Sequence, residues 1–180
     1  MLFTYEQCLK KYGNKYFLKK SLDSGELYKL DKGIYSDEKY VPEDAILAIK
    51  YPKTIFTLNS AFYYYGLTDV IPEKHYLATD RNAAKITDNR VVQIFENSNL
   101  LSLGAITATK NGNTINIYNK ERLLVELLRH KGKLSFDYYK EVLLSFREII
   151  YELDIRLIQD YASLVPKSSK IMETLQLEVL

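Results

Sequence analysis

The segment AITATKNGNTINIYN, residues 105–119, constrains the fold more than any other part of this chain. Its central Asn111-Gly112 pair favours the tight turn of a two-stranded hairpin. Four apolar residues alternate with polar ones along the two strands and are predicted to face inward: Ile106, Ala108, Ile115 and Ile117. Asn119 then caps the helix KERLLVELLRHKG, which is predicted to end at Gly132. This hairpin, followed directly by an amphipathic helix, indicates that strands and helices alternate here.

Shorter patterns on either side of the hairpin complete the prediction of fold class. HYLATD and RVVQIFEN have the composition of short strands. Residues 136–151 repeat apolar side chains at helical spacing, Asp154 caps a further helix, and Pro166 precedes a last one. The order of helices, then strands, then helices predicts an α+β protein with a helical C-terminus. We divide it into an N-terminal module, residues 1–50, and a mixed α/β C-terminal domain, residues 51–180.

The start of the chain predicts two short helices followed by a small hairpin. Thr4 and Asn14 can cap the two helices, and Gly13 and Gly25 mark their ends. Two helices joined by a tight glycine-containing turn are typical of a helix-turn-helix motif. The following ELYKLDKGIYS predicts two strands joined by a turn at residues 31–33, which would add a β-wing. The N-terminal module is therefore predicted to be a winged helix-turn-helix.

In such a module the second helix enters the major groove of DNA and the wing contacts phosphates. The side chains predicted to face DNA are Asn14, Lys15, Lys19 and Lys20 on the second helix and Lys29 and Lys32 on the wing, whereas Phe17 and either Leu18 or Leu22 pack inward. Residues 1–35 carry seven lysines and four carboxylates, a net charge of 7 − 4 = +3. Lysines on the solvent side of amphipathic helices are also usual in any small α-rich domain, so both interpretations stay open.

Residues 57–72, TLNSAFYYYGLTDVIP, predict a short helix that stops at a glycine. Thr57 or Asn59 can cap it, Gly66 can end it in the left-handed conformation, and Leu67 can fold back on the last turn. Successive helical residues point about 100° apart, so three consecutive tyrosines cannot share one buried face. These tyrosines are Tyr63, Tyr64 and Tyr65. We expect at least one to face another domain, a partner or solvent.

Few side chains in this sequence suit catalysis or metal binding. With two histidines and one cysteine, the chain offers no zinc cluster and no credible catalytic triad, and the glycine loops that bind phosphate are absent. We therefore expect no enzyme, no metal and no cofactor. Glu121 and Arg122, at the start of the predicted helix, form the one charged pair whose position suggests a specific role. Glu121 suits the start of a helix dipole, whereas Arg122 needs a carbonyl or carboxylate partner in the neighbouring sheet and would act as a structural lock.

The composition limits the class of protein and the cellular compartment that we expect. A chain of 180 residues with 47% hydrophobic and 27% charged residues is ordinary globular material. The net charge of +2 is too small to indicate nucleic-acid binding by itself. A single cysteine, Cys8, permits no internal disulfide, and the N-terminus has no apolar run of the length of a signal peptide or membrane span. We expect a cytoplasmic protein without membrane contact.

Three segments in order resemble the AbiEi family of bacterial antitoxins, across nearly the whole chain. They are LKKSLDSGELYKLDKGIYS, YPKTIFTLNSAFYYYGLTDVIP and INIYNKERLLVELLR. The middle segment is the most specific, because family members carry a similar run of Ser-Ala, aromatic residues, Gly-Leu and a closing Ile-Pro. A similar Glu-Arg-Leu helix start follows at a comparable distance.

The resemblance implies an N-terminal winged helix that binds inverted repeats in its own promoter and represses it, joined to a C-terminal antitoxin domain. It places Lys15, Lys19 and Lys20 on the recognition helix and Lys29, Lys32 and Tyr35 on the wing. The counterpart toxin of the family, AbiEii, is a nucleotidyltransferase, and the pair acts in abortive phage infection as a type IV system, without a required stable complex. A second hypothesis is a protein-interaction module that silences a toxin by direct contact, through the tyrosine cluster and the C-terminal helices, without DNA binding.

Overall fold

A computed structural model describes residues 1–110 and 112–180, so the predicted turn residue Asn111 lies outside the described residues. The described chain combines helices with two β-sheets, which confirms the α+β class. It divides into two compact units. The first unit contains Met1–Lys53 together with Ala108–Ile115, and the second contains Thr54–Thr107 together with Asn116–Leu180. The assignment of Ala108–Ile115 to the first unit was not expected from the sequence.

The first unit begins with a strand and two capped helices. Its elements are β1 (Leu2–Thr4), α1 (Tyr5–Tyr12), α2 (Lys15–Asp23), β2 (Tyr28–Asp31), β3 (Ile34–Ser36) and α3 (Glu43–Lys50). The side chain of Thr4 accepts from the backbone N–H of Gln7 and that of Asn14 accepts from Tyr16, so both predicted caps are confirmed. The three strands form an antiparallel sheet in the order β1-β3-β2.

Buried side chains from both helices and the small sheet form the core of this unit. They are Cys8, Leu18, Leu27 and Tyr35, with Phe3, Tyr5, Leu9, Tyr12 and Leu22 partly buried around them. The prediction that Phe17 packs inward is wrong, because its side chain is 50% exposed. The inner face of α2 consists instead of Leu18, Ser21 and Leu22, at the spacing of three and four residues that one helix face requires.

The larger sheet contains five strands and mixed directions. They are β4 (Ile55–Phe56), β5 (His75–Asp80), β6 (Val91–Glu96), β7 (Ala105–Lys110) and β8 (Asn113–Tyr118). Their order is β6-β5-β4-β8-β7, with β4 antiparallel to β5, and with the pairs β4·β8 and β5·β6 parallel. The predicted strands and hairpin are confirmed, but Ile106 is not inward, since it is 44% exposed. It lies on the edge strand β7, where a side chain has a neighbouring strand on one side only.

The remaining helices belong to the second unit. They are α4 (Leu58–Tyr64), α5 (Ser98–Leu101), α6 (Lys120–Arg129), α7 (Phe136–Ile149), α8 (Ile155–Leu164) and α9 (Ser168–Glu178). The side chains of Asn119 and Asp154 cap α6 and α8 as predicted. Every residue from 122 to 128 is buried, so α6 is enclosed on all sides rather than along one apolar stripe. Within the described ranges, no helix is both long and apolar enough to cross a bilayer.

Candidate nucleic-acid interface and buried ion cluster

The outer face of α2 presents the three lysines predicted to contact DNA. Lys15, Lys19 and Lys20 are all exposed, and Lys15 and Lys19 lie one helical turn apart. In the part of the chain that the structure describes, none of the three forms an ion pair with a carboxylate. Their ammonium groups are therefore available to an anionic partner.

Asn14 has a structural role in addition to its predicted DNA contact. Its side-chain oxygen accepts hydrogen bonds from the backbone N–H groups of Tyr16 at 2.9 Å and Phe17 at 3.1 Å. An asparagine that reads adenine uses its oxygen and its amide N–H together. In this conformation Asn14 has only the amide N–H group left to donate, so it cannot read adenine in that way.

Lys29 and Lys32 lie exposed on the predicted wing, where the turn between β2 and β3 is held from both sides. The carboxylate of Asp31 accepts from the backbone N–H of Lys32 at 2.6 Å and from the Lys50 ammonium at 3.1 Å. Gly33 has a φ of +76°, the left-handed conformation that such a turn needs. These contacts fix the backbone of the turn, and with it the positions from which the side chains of Lys29 and Lys32 extend.

The predicted role of Tyr35 as a DNA-contacting residue of the wing has to be corrected, because its side chain is almost fully buried. Its side chain is 7% exposed and packs with Cys8, Leu18 and Leu27 in the core of the first unit. The reason is packing: helices α1 and α3 contact β3, the central strand of its sheet, and all three residues of β3 are buried. Burial raises the pKa of the Tyr35 hydroxyl. The residue therefore contributes to the core of the first unit and is not available to an external partner.

Two aromatic side chains on α2 were missed as surface residues. Tyr16 is 71% exposed and Phe17 is 50% exposed, and their rings meet edge to face with centroids 5.4 Å apart. Tyr16 lies three and four residues before Lys19 and Lys20, on the same side of the helix. A helical projection around Leu18 would have found them, because the residues opposite an apolar face are the exposed ones.

The helix of the tyrosine segment ends as the sequence predicts. Gly66 has a φ of +68°, and its backbone N–H donates to the carbonyl of Tyr63 at 3.1 Å. The N–H of Leu67 donates to the carbonyl of Phe62 at 2.9 Å, and the Leu67 side chain is buried. These two bonds are the pair that defines a Schellman cap. Gly66 and Leu67 therefore have a structural role at this position.

The three tyrosines of this helix have different surroundings, as expected. Tyr63 is 42% exposed, which confirms that one of them faces away from the local core. Tyr65 donates from its hydroxyl to the carbonyl of Tyr118 at 3.1 Å, and burial raises its pKa to about 12. The rings of Tyr64 and Tyr65 meet edge to face at 5.3 Å. Tyr65 thus packs within the second unit, and Tyr63 remains accessible to a partner.

Arg122 has both of the kinds of partner that the sequence suggests for it. Its guanidinium lies 3.2 Å from the carboxylate of Glu96, at the end of β6, and donates to the carbonyl of Leu100 at 3.5 Å. Nε of Arg122 also donates to Glu126 at 3.0 Å, one turn further along α6. Glu121 is only half-buried, and its carboxylate accepts from the backbone N–H of Asp154 at 3.4 Å. Arg122 therefore locks α6 to the sheet.

A second arginine and a histidine complete a buried ion cluster, which we define as Glu96, Arg122, Glu126, Arg129 and His130. Arg129 pairs with Glu96, and with Glu126 at 3.1 Å, while Nδ1 of His130 lies 3.3 Å from Glu126. Burial by itself would raise the pKa of Glu126. The hydrogen bond from His130 and the charges of Arg122 and Arg129 outweigh it, and they lower the pKa to about 2. The two arginines and two glutamates balance each other.

Gly104 lets the backbone approach this cluster closely. A Cβ atom there would lie 2.5 Å from the Cβ of Arg122, and the residue has a φ of +76°. The carbonyl of Gly104 accepts from the N–H of Asn119 at 2.7 Å, so the same glycine also holds the residue that caps α6. No pattern in the sequence indicates this role. Only the close approach of two segments in space reveals it.

Among residues 1–110 and 112–180, no group of three or more His, Cys, Asp or Glu side chains could hold a metal ion. No protein-family model matches the sequence. No curated protein matches it significantly.

Proposed function

We propose that this protein is a cytoplasmic DNA-binding regulator of the AbiEi type, the antitoxin of a toxin–antitoxin system. In this proposal residues 1–50 form a winged helix-turn-helix that binds inverted repeats in the promoter of its own operon and represses it. The C-terminal domain counters a nucleotidyltransferase toxin during abortive phage infection. The proposal rests on the resemblance of the three sequence segments together with the properties of α2.

The arrangement of the first unit supports the DNA-binding half of this proposal. In the element order β1-α1-α2-β2-β3, helix α2 follows a short tight turn and precedes the β2–β3 hairpin. In a winged helix-turn-helix the recognition helix has the position of α2, and the wing has the position of this hairpin. Lys29 and Lys32 would then approach phosphates from the wing while α2 lies in the major groove.

The single structural observation that carries the proposal is the set of exposed lysines on α2, which form no ion pair with any residue that the structure describes. Lys15, Lys19 and Lys20 are exposed on a helix whose inner face is fully engaged, and no acidic residue lies in its first turn. Phosphate contacts of this kind supply most of the affinity of a protein for duplex DNA and make it depend on salt. Sequence discrimination would come from the neighbouring polar and aromatic side chains, including Tyr16 and Phe17.

A fluorescence-anisotropy titration with the promoter duplex tests the proposal at about 50 and about 200 mM salt. We expect binding that weakens steeply with salt and that is tighter for the promoter than for a shuffled duplex. Replacing Lys15, Lys19 and Lys20 together by Gln leaves three phosphates without a cationic partner. It should reduce the slope of log K against log salt by about 0.9 for each of these phosphates, about 2.7 in all.

The matched control removes three positive charges from the second unit. Lys74, Lys85 and Lys140 are exposed, so their joint replacement by Gln changes the net charge by the same amount. We expect the control variant to keep the slope of the wild-type protein. An equal loss of slope in both variants would show that DNA affinity depends only on the net charge of the protein. Equal binding to the promoter and to the shuffled duplex would rule out the repressor proposal.

A second candidate function is neutralisation of a toxin by direct contact, without DNA binding. It is favoured by three large apolar side chains that are exposed within one short stretch: Tyr63, Val70 and Ile71. Co-purification with the product of the neighbouring gene tests this hypothesis. We expect Ile71→Asp to abolish a complex formed through this stretch and the triple lysine variant to leave it intact. Separate elution of the two wild-type proteins would rule the hypothesis out.

A further inference from the structure

A second group of cations lies in the second unit, around a cavity of about 340 Å³ that the proposed function does not use. Its basic lining residues are Arg129, Lys131, Lys167 and Lys170, and its apolar wall includes Leu128 and Ile171. They come from α6, from the 3₁₀ turn Lys131–Lys133 that follows it, and from the start of α9. Cavities that bind small molecules begin at about 300 Å³ and combine an apolar wall with a few polar groups.

Two of the four cations are already engaged, and two are not. Arg129 is bound to Glu96 and Glu126, and Lys131 is bound to Glu178. In the described part of the chain, neither Lys167 nor Lys170 forms an ion pair. The cavity therefore has a net excess of positive charge from these two ammonium groups. That excess favours an anion, because charge-assisted hydrogen bonds to phosphate or carboxylate oxygens are the strong ones.

The backbone conformation of Lys167 is a second unusual feature of this cavity. Lys167 has a φ of +68° and a ψ of 28°, in the left-handed region that glycine or asparagine adopts more readily than other residues. A lysine at such a position is unfavourable for the backbone, so conformation alone does not account for it. Its side chain lines the cavity, where it carries a positive charge. The first turn of α9 has no acidic residue and no side-chain cap that would compensate this charge.

We propose that this cavity binds the phosphoryl group of a small phosphorylated molecule, with Lys167 and Lys170 as its cationic partners. The carbon portion of the ligand would contact Leu128 and Ile171 on the apolar wall. Both lysines lie in the second unit, whereas the proposed DNA contacts lie in the first. The two proposals can therefore fail independently.

Isothermal titration calorimetry of the full chain with inorganic phosphate and with butyl phosphate tests this site. We expect one saturable site for each ligand. Butyl phosphate should bind about tenfold more tightly, because about two methylene groups become buried against the apolar wall. The double variant Lys167→Asn, Lys170→Gln should bind butyl phosphate at least about tenfold more weakly, since it removes two charge-assisted bonds. Asparagine tolerates the left-handed backbone, so this variant should fold.

Lys140→Gln is the control, because it removes a lysine from the exposed surface of α7 outside the cavity. It should bind butyl phosphate as the wild-type chain does, and thermal unfolding should show all variants folded. No saturable binding of either ligand would overturn the proposal. So would unchanged affinity of the double variant, or equal weakening by the control. Equal affinity for the two ligands would also overturn the proposal, because it would show that the cavity binds an anion without using its apolar wall.

Discussion

The two helices α2 and α6 use charged side chains in opposite ways. On α2, Lys15, Lys19 and Lys20 are exposed and have no carboxylate partner in the described chain. On α6, Arg122 and Glu126 are fully buried, and each is bound to an opposite charge. A charge in water needs no partner, whereas a charge inside a protein is tolerated only when it is paired and hydrogen-bonded. The charges of α2 are therefore available to a partner, whereas those of α6 stabilise the fold.

The surroundings of the two helices explain why the difference is possible. α2 buries one face, formed by Leu18, Ser21 and Leu22, and leaves the rest in solvent. α6 is covered on all sides, so the polar side chains along it must find partners within the unit. Glu96 at the end of β6 supplies one partner, and Glu126 within α6 supplies the other. Substitutions on the two helices should therefore differ widely in their effect on stability.

The largest effect is expected when one charge of the buried ion cluster is removed. Glu126→Gln should lower the free energy of unfolding by about 3–5 kcal/mol, because it breaks the charge balance around the buried Arg122 and the partly buried Arg129. Urea unfolding followed by circular dichroism measures this change. Glu121→Gln is the matched control on the same helix, and we expect it to change stability by no more than about 0.5 kcal/mol. Equal effects at both positions would mean that burial of the ion cluster does not matter for folding.

The pH dependence of stability should report the same group. The pKa of Glu126 is lowered from 4.5 to about 2 in the folded protein, so the folded state favours the ionised carboxylate. Its contribution is fully present above about pH 4.5 and is lost as pH falls through about 2. The loss is about 3–4 kcal/mol, at about 1.4 kcal/mol for each unit by which the pKa is lowered. Urea unfolding at about pH 6 and about pH 2.5 should show a smaller decrease for Glu126→Gln than for the wild-type chain. An identical decrease in both proteins would assign the acid sensitivity to other groups.

Two glycines with similar backbone conformations should differ in their tolerance of a side chain. Gly104→Ala combines a positive φ with a contact of 2.5 Å to the Cβ of Arg122, whereas a Cβ at Gly66 meets nothing within 4 Å. We expect Gly104→Ala to destabilise the protein by about 2–3 kcal/mol and Gly66→Ala by about 1 kcal/mol. Thermal unfolding of the two variants compares them directly. If Gly66→Ala cost as much as Gly104→Ala, the close approach to the ion cluster would not explain the difference.

Local signals in the sequence were sufficient for most of the secondary structure. The caps at Thr4, Asn14, Asn119 and Asp154 depend only on residues within one turn, and all are present. The partner of Arg122 could be predicted in kind, because an arginine in an apolar helix requires one. Its identity, Glu96, could not be predicted, since the two residues meet only after the sheet and α6 have packed together.

The errors have a common physical origin in packing between elements. Tyr35 was expected on the wing surface, but its side chain packs against Cys8 of α1 and Leu18 of α2. Packing between a strand and distant helices cannot be read from a hairpin pattern. Phe17 was assigned inward because it is apolar, although Leu18 and Leu22 already define the inner face. Ile106 alternates correctly along its strand, yet an edge position leaves it exposed. Each error follows from neighbours that are distant in sequence.

The smallest effects are expected on α2, where they complete the contrast with α6. Replacing Lys15, Lys19 and Lys20 together by Gln should change the free energy of unfolding by no more than about 0.5 kcal/mol. The change breaks no ion pair among residues 1–110 and 112–180, and lysine and glutamine have similar helix propensities. The single variants should differ in sign. Lys15 begins the helix and Lys20 lies in its last turn. The helix dipole disfavours a cation at the first position and favours one at the last, by about 0.3–1 kcal/mol.

Lys15→Gln should therefore slightly stabilise the protein and Lys20→Gln should slightly destabilise it, by a few tenths of a kcal/mol each. Urea unfolding at low salt measures both changes, and raising the salt concentration should reduce them because the dipole interaction is screened. A decrease of more than about 1 kcal/mol in the triple variant would indicate that the lysines support the fold. These residues would then belong with the charges of α6, and a weakened DNA affinity in that variant could no longer be assigned to the absence of lysine–phosphate pairs.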